Sequence, residues 1–417
     1  MSTQNEPFSL EVRKQLLANV AGLVRERLFD PTFNGRDWNA LVDSRRDRIL
    51  GAEQPQDFVL EVQDLLSQLG VSPVHFFDQA GATVPFQRAA WATLFPAGQR
   101  WVFQDVHLDG PAFNAGIQPG DTLLGVNWSP VAPPKGIDLP TTVPITFTVE
   151  KREGQHVFVD LQPLPVNKKG SQPPRYVSCS ELAEHIGYTK ISRFPGLVGV
   201  DLARDIDSAF RQLEGCERLI VDLRGNPGGG TGNLRLMSYF TPDRLPVGYS
   251  LTRGRAARGY RREDLPQFRR IPSSKLPLVW LALRFKFADK SIVVVTEGLG
   301  RKSFHGRIIL LVNRHTTSGA EIVAGFAREH RLATIVGERT AGRLLGWSTF
   351  RLEHGYRVAL PVSNYLTWDG KCFEGEGIEP HVEVPFSPDG AREGRDNQLE
   401  QAVLIAKSMA AHPARMH

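Results

Sequence analysis

An apolar strand that runs directly into a glycine-rich turn most constrains the fold of this chain. Residues 219–223 read Leu-Ile-Val-Asp-Leu, and residues 224–230 read Arg-Gly-Asn-Pro-Gly-Gly-Gly. A short apolar run bounded by such a turn is typical of a buried strand. The glycines permit positive φ and let backbone N–H groups face a bound oxygen. Because the Lys-Ser/Thr pair of a P-loop is missing, the loop gives little support to a nucleotide site.

Strand and helix patterns alternate on both sides of this turn. Apolar runs predict strands at 186–191, 217–223, 307–313 and 333–337, and helical spacing predicts helices near 201–214 and 319–330. Strands separated by helices indicate a mostly parallel sheet covered by helices.

The first part of the chain is helical in pattern. Residues 9–28 place leucines and valines at helical spacing, and Ser9 can cap this helix. A second helical run extends from Phe58 to Leu69 and ends at Gly70, which suits the position after a helix C-terminus.

Residues 80–165 instead hold short alternating runs separated by turns, and residues 166–174 form a polar linker that contains proline. Alternation of this kind predicts short strands. We therefore predict three parts: an N-terminal helical segment at 1–78, a β-rich domain at 80–165 and an α/β core at 166–417.

Composition excludes several classes of protein. Hydrophobic residues make up 41% of the 417 residues and charged residues 23%, which supports a folded core and excludes dominant disorder. Lys and Arg (50) exceed Asp and Glu (45) by only five, so a nucleic-acid binder is not indicated. Cysteines 179, 216 and 372 show no CxxC spacing, which argues against disulfides and zinc. The chain shows neither a signal peptide nor an apolar span, so we expect a cytoplasmic protein without membrane contact.

Residues 110–127, GPAFNAGIQPGDTLLGVN, resemble part of a PDZ domain. Modules of this type bind an extended peptide by adding it to a sheet edge. The resemblance implies a peptide C-terminus as a partner, and the alternative is a β-rich spacer that binds nothing.

Residues 313–325, NRHTTSGAEIVAG, follow the predicted strand at 307–313 and lead into a helix. Ser318 therefore lies at a helix N-terminus, where the partial positive charge favours an alkoxide or an oxyanion. A serine in this place also serves as an ordinary N-cap, so the position alone leaves both interpretations open.

Taken together, four elements in order resemble the C-terminal processing peptidase and tricorn protease superfamily of serine peptidases. They are the helical segment that ends in LGVSPVH, the PDZ-like segment, GYTKISRF with DLRGNPGG, and TTSGAE followed by VGERTAG. The resemblance implies an α/β core with a ClpP/crotonase-like fold and an inserted PDZ domain. It also implies cleavage of unfolded or C-terminally tagged polypeptides through an acyl-enzyme, without a metal or cofactor, and is compatible with a homo-oligomer.

On this resemblance, Ser318 takes the nucleophile position. The N–H of Gly319 and an N–H of the glycine-rich loop, at Gly228 or Gly229, are expected to form the oxyanion hole. One such donor is typically worth about 3 kcal/mol of transition-state stabilisation.

The general base distinguishes two branches of the superfamily. Where the processing-peptidase branch has its lysine, this chain has Arg343, which stays protonated and cannot accept a proton. The tricorn branch instead uses a histidine before the PDZ domain and a glutamate late in the core, which implies His75 and Glu374 here. Val74 replaces the serine that precedes the histidine in that branch, and Ser72 is the candidate to substitute for it.

Alternatives remain for each role. Glu376 competes with Glu374, Lys190 and His315 compete with His75 as the base, and Glu329 is either an acidic helper or a solvated helix residue. His330 lies about three helical turns from Ser318, roughly 18 Å at 1.5 Å per residue. A catalytically impaired peptide-binding scaffold, favoured by Arg343 and Val74, is the alternative function, and an acyl-CoA enzyme on the same fold is a third.

Overall fold

A computed structural model describes residues 8–71, 74–77, 83–140, 143–162, 175–183, 185–196, 199–271 and 291–409. Within these ranges the α-helices are α1 Leu10–Arg27, α2 Trp38–Gly51, α3 Pro55–Ser67, α4 Phe86–Ala90, α5 Pro111–Asn114, α6 Val200–Gln212, α7 Asn233–Tyr239, α8 Arg253–Arg258, α9 Gly319–Glu329, α10 Pro388–Arg392 and α11 Asn397–Ser408. None of these helices combines the length and the apolar character needed to cross a bilayer.

Within the same described ranges, the strands form three larger sheets and one two-stranded pair. Their bounds are β1 His75–Phe77, β2 Thr83–Pro85, β3 Ala92–Ala97, β4 Arg100–Val106, β5 Thr122–Val126, β6 Ser129–Pro130, β7 Asp138–Pro140, β8 Ile145–Glu150, β9 His156–Leu161, β10 Val177–Ala183, β11 Ile186–Ile191, β12 Arg218–Asp222, β13 Pro246–Thr252, β14 Gln267–Phe268, β15 Ile292–Val295, β16 Arg307–Val312, β17 Thr334–Gly337, β18 Gly346–Arg351, β19 Arg357–Thr367 and β20 Val382–Glu383.

The core sheet has the order β10-β11-β12-β16-β17-β20 and is parallel from β11 onward. This confirms the parallel sheet that the sequence predicts. Helices α6 and α9 cover one face and α11 the other. Because β12 and β16 are parallel neighbours, their carboxyl ends meet at one edge, which brings the glycine-rich loop beside the turn that carries Ser318.

A second sheet, in the order β1-β19-β13-β15-β14, joins the N-terminal helices to the core. Phe58 of α3 and Val358 of β19 lie in one buried cluster. The predicted helices α1 and α3 are confirmed, and the Ser9 side chain accepts the Val12 N–H at 3.3 Å. Helix α2 was not predicted from the sequence, because only Trp38, Val42 and Ile49 along it are buried and its apolar pattern is weak.

The part of the chain between β2 and β9, residues 83–161, is called here the β-rich module. Its main sheet is antiparallel in the order β3-β4-β5-β8-β9, with its own core that includes Phe103 and Phe147. The short strands predicted here are therefore confirmed. The module packs closely on the core, since a Cβ at Gly120 would lie 2.4 Å from the Ala391 carbonyl oxygen.

Candidate active site

Ser318 occupies a strained turn between a strand and a helix. Strand β16 ends at Val312 and helix α9 begins at Gly319. The serine has φ 53° and ψ −120°, a region that residues with a side chain rarely adopt. Such a conformation costs about 1–3 kcal/mol and persists where surrounding contacts fix it, often at reactive sites. A serine on a sharp turn between a strand and a helix is also the arrangement of the nucleophile elbow in hydrolases.

The buried carboxylate of Glu321 holds this turn in place. One of its oxygens accepts the N–H groups of Ser318 at 3.0 Å and Arg343 at 2.8 Å. The other accepts the Thr340 hydroxyl and the Gly342 N–H, both at 2.6 Å. Burial raises the pKa of Glu321, and these four hydrogen bonds oppose the rise because they stabilise the carboxylate.

Sequence reasoning gave Glu321 no role, although a signal was present. A glutamate three residues after a serine at a helix start forms a capping box, in which its carboxylate accepts the N–H of the first residue. The chain carries this spacing at Ser318 and Glu321. What the spacing does not show is that the same carboxylate also binds the segment at 340–343.

The glycine-rich loop lies directly against Ser318. A Cβ built on Gly228 would be 2.7 Å from the Ser318 Cβ and from the Gly319 nitrogen, so a side chain has no room there. The loop is also bonded to the Ser318 turn, because the Thr317 N–H donates to the Asn226 carbonyl at 2.9 Å.

The two loop glycines that are candidates for the oxyanion hole, Gly228 and Gly229, differ in their hydrogen bonding. The Gly228 N–H donates to the Asn226 side-chain oxygen at 2.8 Å. Within the described part of the chain, the N–H groups of Gly229 and Gly319 have no acceptor. The Gly229 nitrogen lies 3.6 Å from the ideal Cβ position of Gly319, so the two free donors are neighbours.

His75 lies on strand β1, paired with Ala359 of β19. Gln63 fixes the strand on both sides of the histidine, donating to the Val74 carbonyl at 3.0 Å and accepting the Phe76 N–H at 2.8 Å. No motif in the sequence pointed to this glutamine.

The surroundings of the His75 ring lower its pKa. Desolvation is the largest cause, and the positive charges of Arg343 and Arg88 act in the same direction, whereas Asp138 opposes them. The ring remains exposed at the surface, and among the described residues no hydrogen bond joins it to Ser318. Arg343 lies next to Ser318, since its carbonyl accepts the Ser318 N–H at 3.0 Å, and its positive charge is close enough to act on His75.

Glu374 faces the segment that follows Arg343. One oxygen accepts the N–H groups of Leu344 at 2.6 Å and Leu345 at 3.1 Å. Burial raises its pKa, these two hydrogen bonds lower it, and Glu321 and Arg343 are close enough to influence it in opposite directions. The competing Glu376 is exposed. No hydrogen bond between Glu374 and His75 is present in the described ranges.

The other predicted residues lie apart from Ser318 or have other partners. The Lys190 ammonium is 3.5 Å from Asp222 Oδ2, in a cleft of about 310 Å³ between the core and the β-rich module. His315 Nε2 donates to the Leu94 carbonyl at 3.1 Å. Glu329 accepts the Asp369 N–H at 2.9 Å, and Ser72 lies outside the described residues.

His330 also has a hydrogen-bond partner away from Ser318. Its Nε2 donates to the Pro246 carbonyl at 2.9 Å, which directs the ring towards β13 and away from the Ser318 turn.

Comparisons with known proteins show what this chain resembles in sequence and in fold. The model of peptidase family S41 matches residues 185–384. A putative tricorn protease homolog of Streptomyces coelicolor is 25% identical over 94% of this chain and 32% of its own length. The carboxy-terminal processing protease CtpA of Bacillus subtilis is 25% identical over 68% of this chain and 52% of its own length. The chain thus spans about a third to a half of these relatives.

Solved structures show the same fold over nearly the whole chain. The photosystem II D1 C-terminal processing protease superposes with a TM-score of 0.59 at 18% identity, over 96% of this chain and 98% of that one. Mature CPAF gives a TM-score of 0.60 at 14% identity, over 95% and 98%. The matched region, residues 185–384, contains the glycine-rich loop, Ser318 and Glu374, and this region belongs to peptidase family S41.

Proposed function

We propose that this protein is a serine peptidase that cleaves polypeptides through an acyl-enzyme on Ser318. The observation that carries the proposal is the strained turn of Ser318 beside two free backbone donors, the N–H groups of Gly229 and Gly319. Donors fixed in this way stabilise the oxyanion of a tetrahedral intermediate without reorganising during the reaction. Because the Gly228 N–H is already donated to Asn226, we assign the oxyanion hole to Gly229 and Gly319.

In the proposed reaction, Ser318 Oγ attacks the scissile carbonyl carbon and its proton passes to the neutral imidazole of His75. His75 then protonates the leaving amine, which completes the acyl-enzyme. Water hydrolyses the ester by the same proton transfers in reverse. The lowered pKa of His75 supports this role, because it keeps the ring neutral and able to accept a proton. A productive complex requires His75 to approach Ser318 more closely than it does here.

Glu374 has a supporting role in this proposal. Its carboxylate binds the N–H groups of Leu344 and Leu345, next to the residue whose side-chain charge acts on His75. It therefore fixes the backbone directly after Arg343. Ser72 stays a candidate relay for the base, and Lys190 a less favoured base, since its ammonium is paired with Asp222.

We further propose that the core is ClpP/crotonase-like and that the β-rich module is a PDZ domain, on the resemblance of residues 110–127. The similar proteins named as processing proteases support polypeptides with accessible C-termini as the substrate class. Strand β3 is one end of the module sheet, where a peptide would add. Its Leu94 carbonyl is already bonded to His315 of the core, so peptide addition there competes with docking of the module.

Labelling with a fluorophosphonate probe tests the proposal. Wild type should label, Ser318→Ala should abolish labelling, and His75→Ala should slow it strongly. The control is His156→Ala, an exposed histidine on the outer strand β9, which should label like wild type. If only Ser318→Ala has an effect, His75 is not the base. Absence of labelling in the wild type, even with added unfolded protein, would favour the peptide-binding scaffold.

A further inference from the structure

One buried carboxylate of the β-rich module binds the core next to the candidate active site. Asp105 of β4 is 5% exposed. Its Oδ2 accepts the side-chain amide of Asn313 at 2.8 Å and the hydroxyl of Thr93 at 2.6 Å. Thr93 belongs to the module, whereas Asn313 follows strand β16 of the core. This hydrogen bond therefore crosses between the two parts of the protein.

Asn313 in turn holds both loops of the candidate site. It is fully buried, and its side-chain oxygen accepts the N–H groups of Gly225 at 3.0 Å and His315 at 3.1 Å. Gly225 lies in the glycine-rich loop three residues before Gly228. His315 lies three residues before Ser318. Because the amide nitrogen of Asn313 donates to a carboxylate, its oxygen can only face the two loops.

Two further side chains of the module bind the same glycine. His107 and Gln87 each donate through Nε2 to the Gly225 carbonyl at 2.9 Å. Gly225 has φ +70°, and a Cβ there would lie 2.9 Å from the Cβ of Asp105. The module therefore binds the Gly225 carbonyl directly. It reaches the Gly225 N–H only through Asn313 of the core, which accepts that N–H and donates to Asp105.

We propose that Asp105 is a positioning residue: acting through Asn313, it sets the spacing between the glycine-rich loop and the Ser318 turn. The proposal rests on the proposed function, because the spacing matters where Gly229 and Gly319 bind one oxyanion. On this proposal, the β-rich module positions the two loops of the site whether or not a peptide is bound to it. Misplacement of a reacting group by about 1 Å can cost on the order of 100-fold in rate.

Exchange of the two side chains tests this role. Asn313→Asp alone places two carboxylates against each other in a buried site and should move both loops. The double variant Asp105→Asn/Asn313→Asp restores the pairing, since the new amide donates to the new carboxylate, which still accepts the N–H groups of Gly225 and His315. The control is Asp160→Asn on the outer strand β9, a carboxylate that also accepts a threonine hydroxyl, at 2.7 Å from Thr146.

Two readouts are needed. For fluorophosphonate labelling, we expect Asn313→Asp to lower the maximal rate about tenfold or more, with little change in the half-saturating probe concentration. The double variant should recover most of this loss. Hydrogen exchange of peptides covering 224–230 and 313–318 should be fast in Asn313→Asp and slow again in the double variant.

The combined outcomes separate the two proposals. Unchanged exchange in Asn313→Asp, or a double variant as impaired as the single one, overturns the role of Asp105. If hydrogen exchange follows the expected pattern but the protein never labels, Asp105 still positions the two loops. The proposed peptidase function is then contradicted.

Discussion

The carboxylate of Glu321 accepts the backbone N–H of Ser318 at 3.0 Å, so the first turn of helix α9 fixes the residue that precedes it. The same carboxylate binds the N–H groups of Gly342 and Arg343. The φ of +53° at Ser318 is thus maintained by contacts from two segments of the chain. Strain of this kind persists only where the surroundings enforce it.

Glu321→Gln should reduce both activity and stability. The amide has one oxygen to offer to four donors, and its NH₂ group faces N–H groups that need an acceptor. We expect a loss of about 2–4 kcal/mol in the free energy of unfolding and at least a tenfold slower labelling rate. Denaturant unfolding and fluorophosphonate labelling measure the two effects. Glu376→Gln, at an exposed carboxylate, is the control and should change neither.

The backbone strain at Ser318 predicts an ordering of two inactive variants. Ser318→Ala keeps a Cβ in a conformation that disfavours one, whereas Ser318→Gly removes it. Glycine also gains freedom in the unfolded chain, which offsets part of the relief. We expect Ser318→Gly to be more stable than Ser318→Ala by about 1 kcal/mol. Chemical denaturation of both proteins tests this, and equal stabilities would contradict the strain.

The sequence predicted the fold best where local pattern and tertiary structure agree. The apolar run at 307–313 and the helix near 319–330 correspond to β16 and α9, and the predicted parallel sheet is present. Strand β19 was missed, although it is 11 residues long. Its residues Val358 and Leu360 are buried against the N-terminal helices, a contact between residues some 300 positions apart in the chain.

In the candidate site, too, some features follow from local motifs and others depend on packing between elements. Motifs single out Ser318 and Glu374 as candidates, and their roles stay predictions. They did not distinguish Gly228 from Gly229, because the difference depends on which N–H the side chain of Asn226 binds. Nor did they show that Lys190 is paired with Asp222 on the neighbouring strand. Such relationships follow from packing between elements and leave no local periodicity.

Gly228→Ala should abolish labelling for a steric reason. The new Cβ would lie 2.6 Å from the Thr317 carbonyl oxygen and 2.7 Å from the Ser318 Cβ, which forces the two loops apart. Gly196→Ala is a matched control, because Gly196 has a similar φ of +70° but no atom of the described residues within 4 Å of its Cβ position. Both variants should lose about 1–2 kcal/mol of stability from the positive φ. Only Gly228→Ala should lose labelling, and equal labelling of the two would refute the steric argument.

Removing either of two charges near His75 should shift the pH dependence of labelling. The acidic limb of the pH profile should move in opposite directions for the two variants. The positive charge of Arg343 disfavours the imidazolium, whereas the negative charge of Asp138 favours it. Since the pKa of His75 is lowered, the limb should lie below about pH 6.5 in the wild type. Arg343→Gln should move it to higher pH and Asp138→Asn to lower pH, and both shifts should be small because solvent screens the two charges. Shifts in the same direction would exclude His75 as the group that titrates.

His107 should make the protein sensitive to acid. Its ring is buried, and desolvation, with the nearby charge of Lys190, lowers its pKa to about 4, while Asp105 and Asp222 oppose this. The folded-state pKa lies below the unfolded value of about 6.5. The stability that the folded protein gains by keeping His107 neutral is therefore complete above pH 6.5 and declines as the pH falls towards 4. Between pH 7.5 and pH 5 the loss should be about 2 kcal/mol.

His107→Gln should remove this sensitivity, since its amide can still donate to the Gly225 carbonyl but does not titrate in this range. The free energy of unfolding of wild type and variant, measured by denaturant at pH 7.5 and pH 5, gives the comparison. The decrease on acidification should be smaller in His107→Gln by about 2 kcal/mol, whereas the exposed control His156→Gln should lose as much as the wild type. An equal decrease in wild type and His107→Gln would show that the ring is not held neutral between the module and the glycine-rich loop.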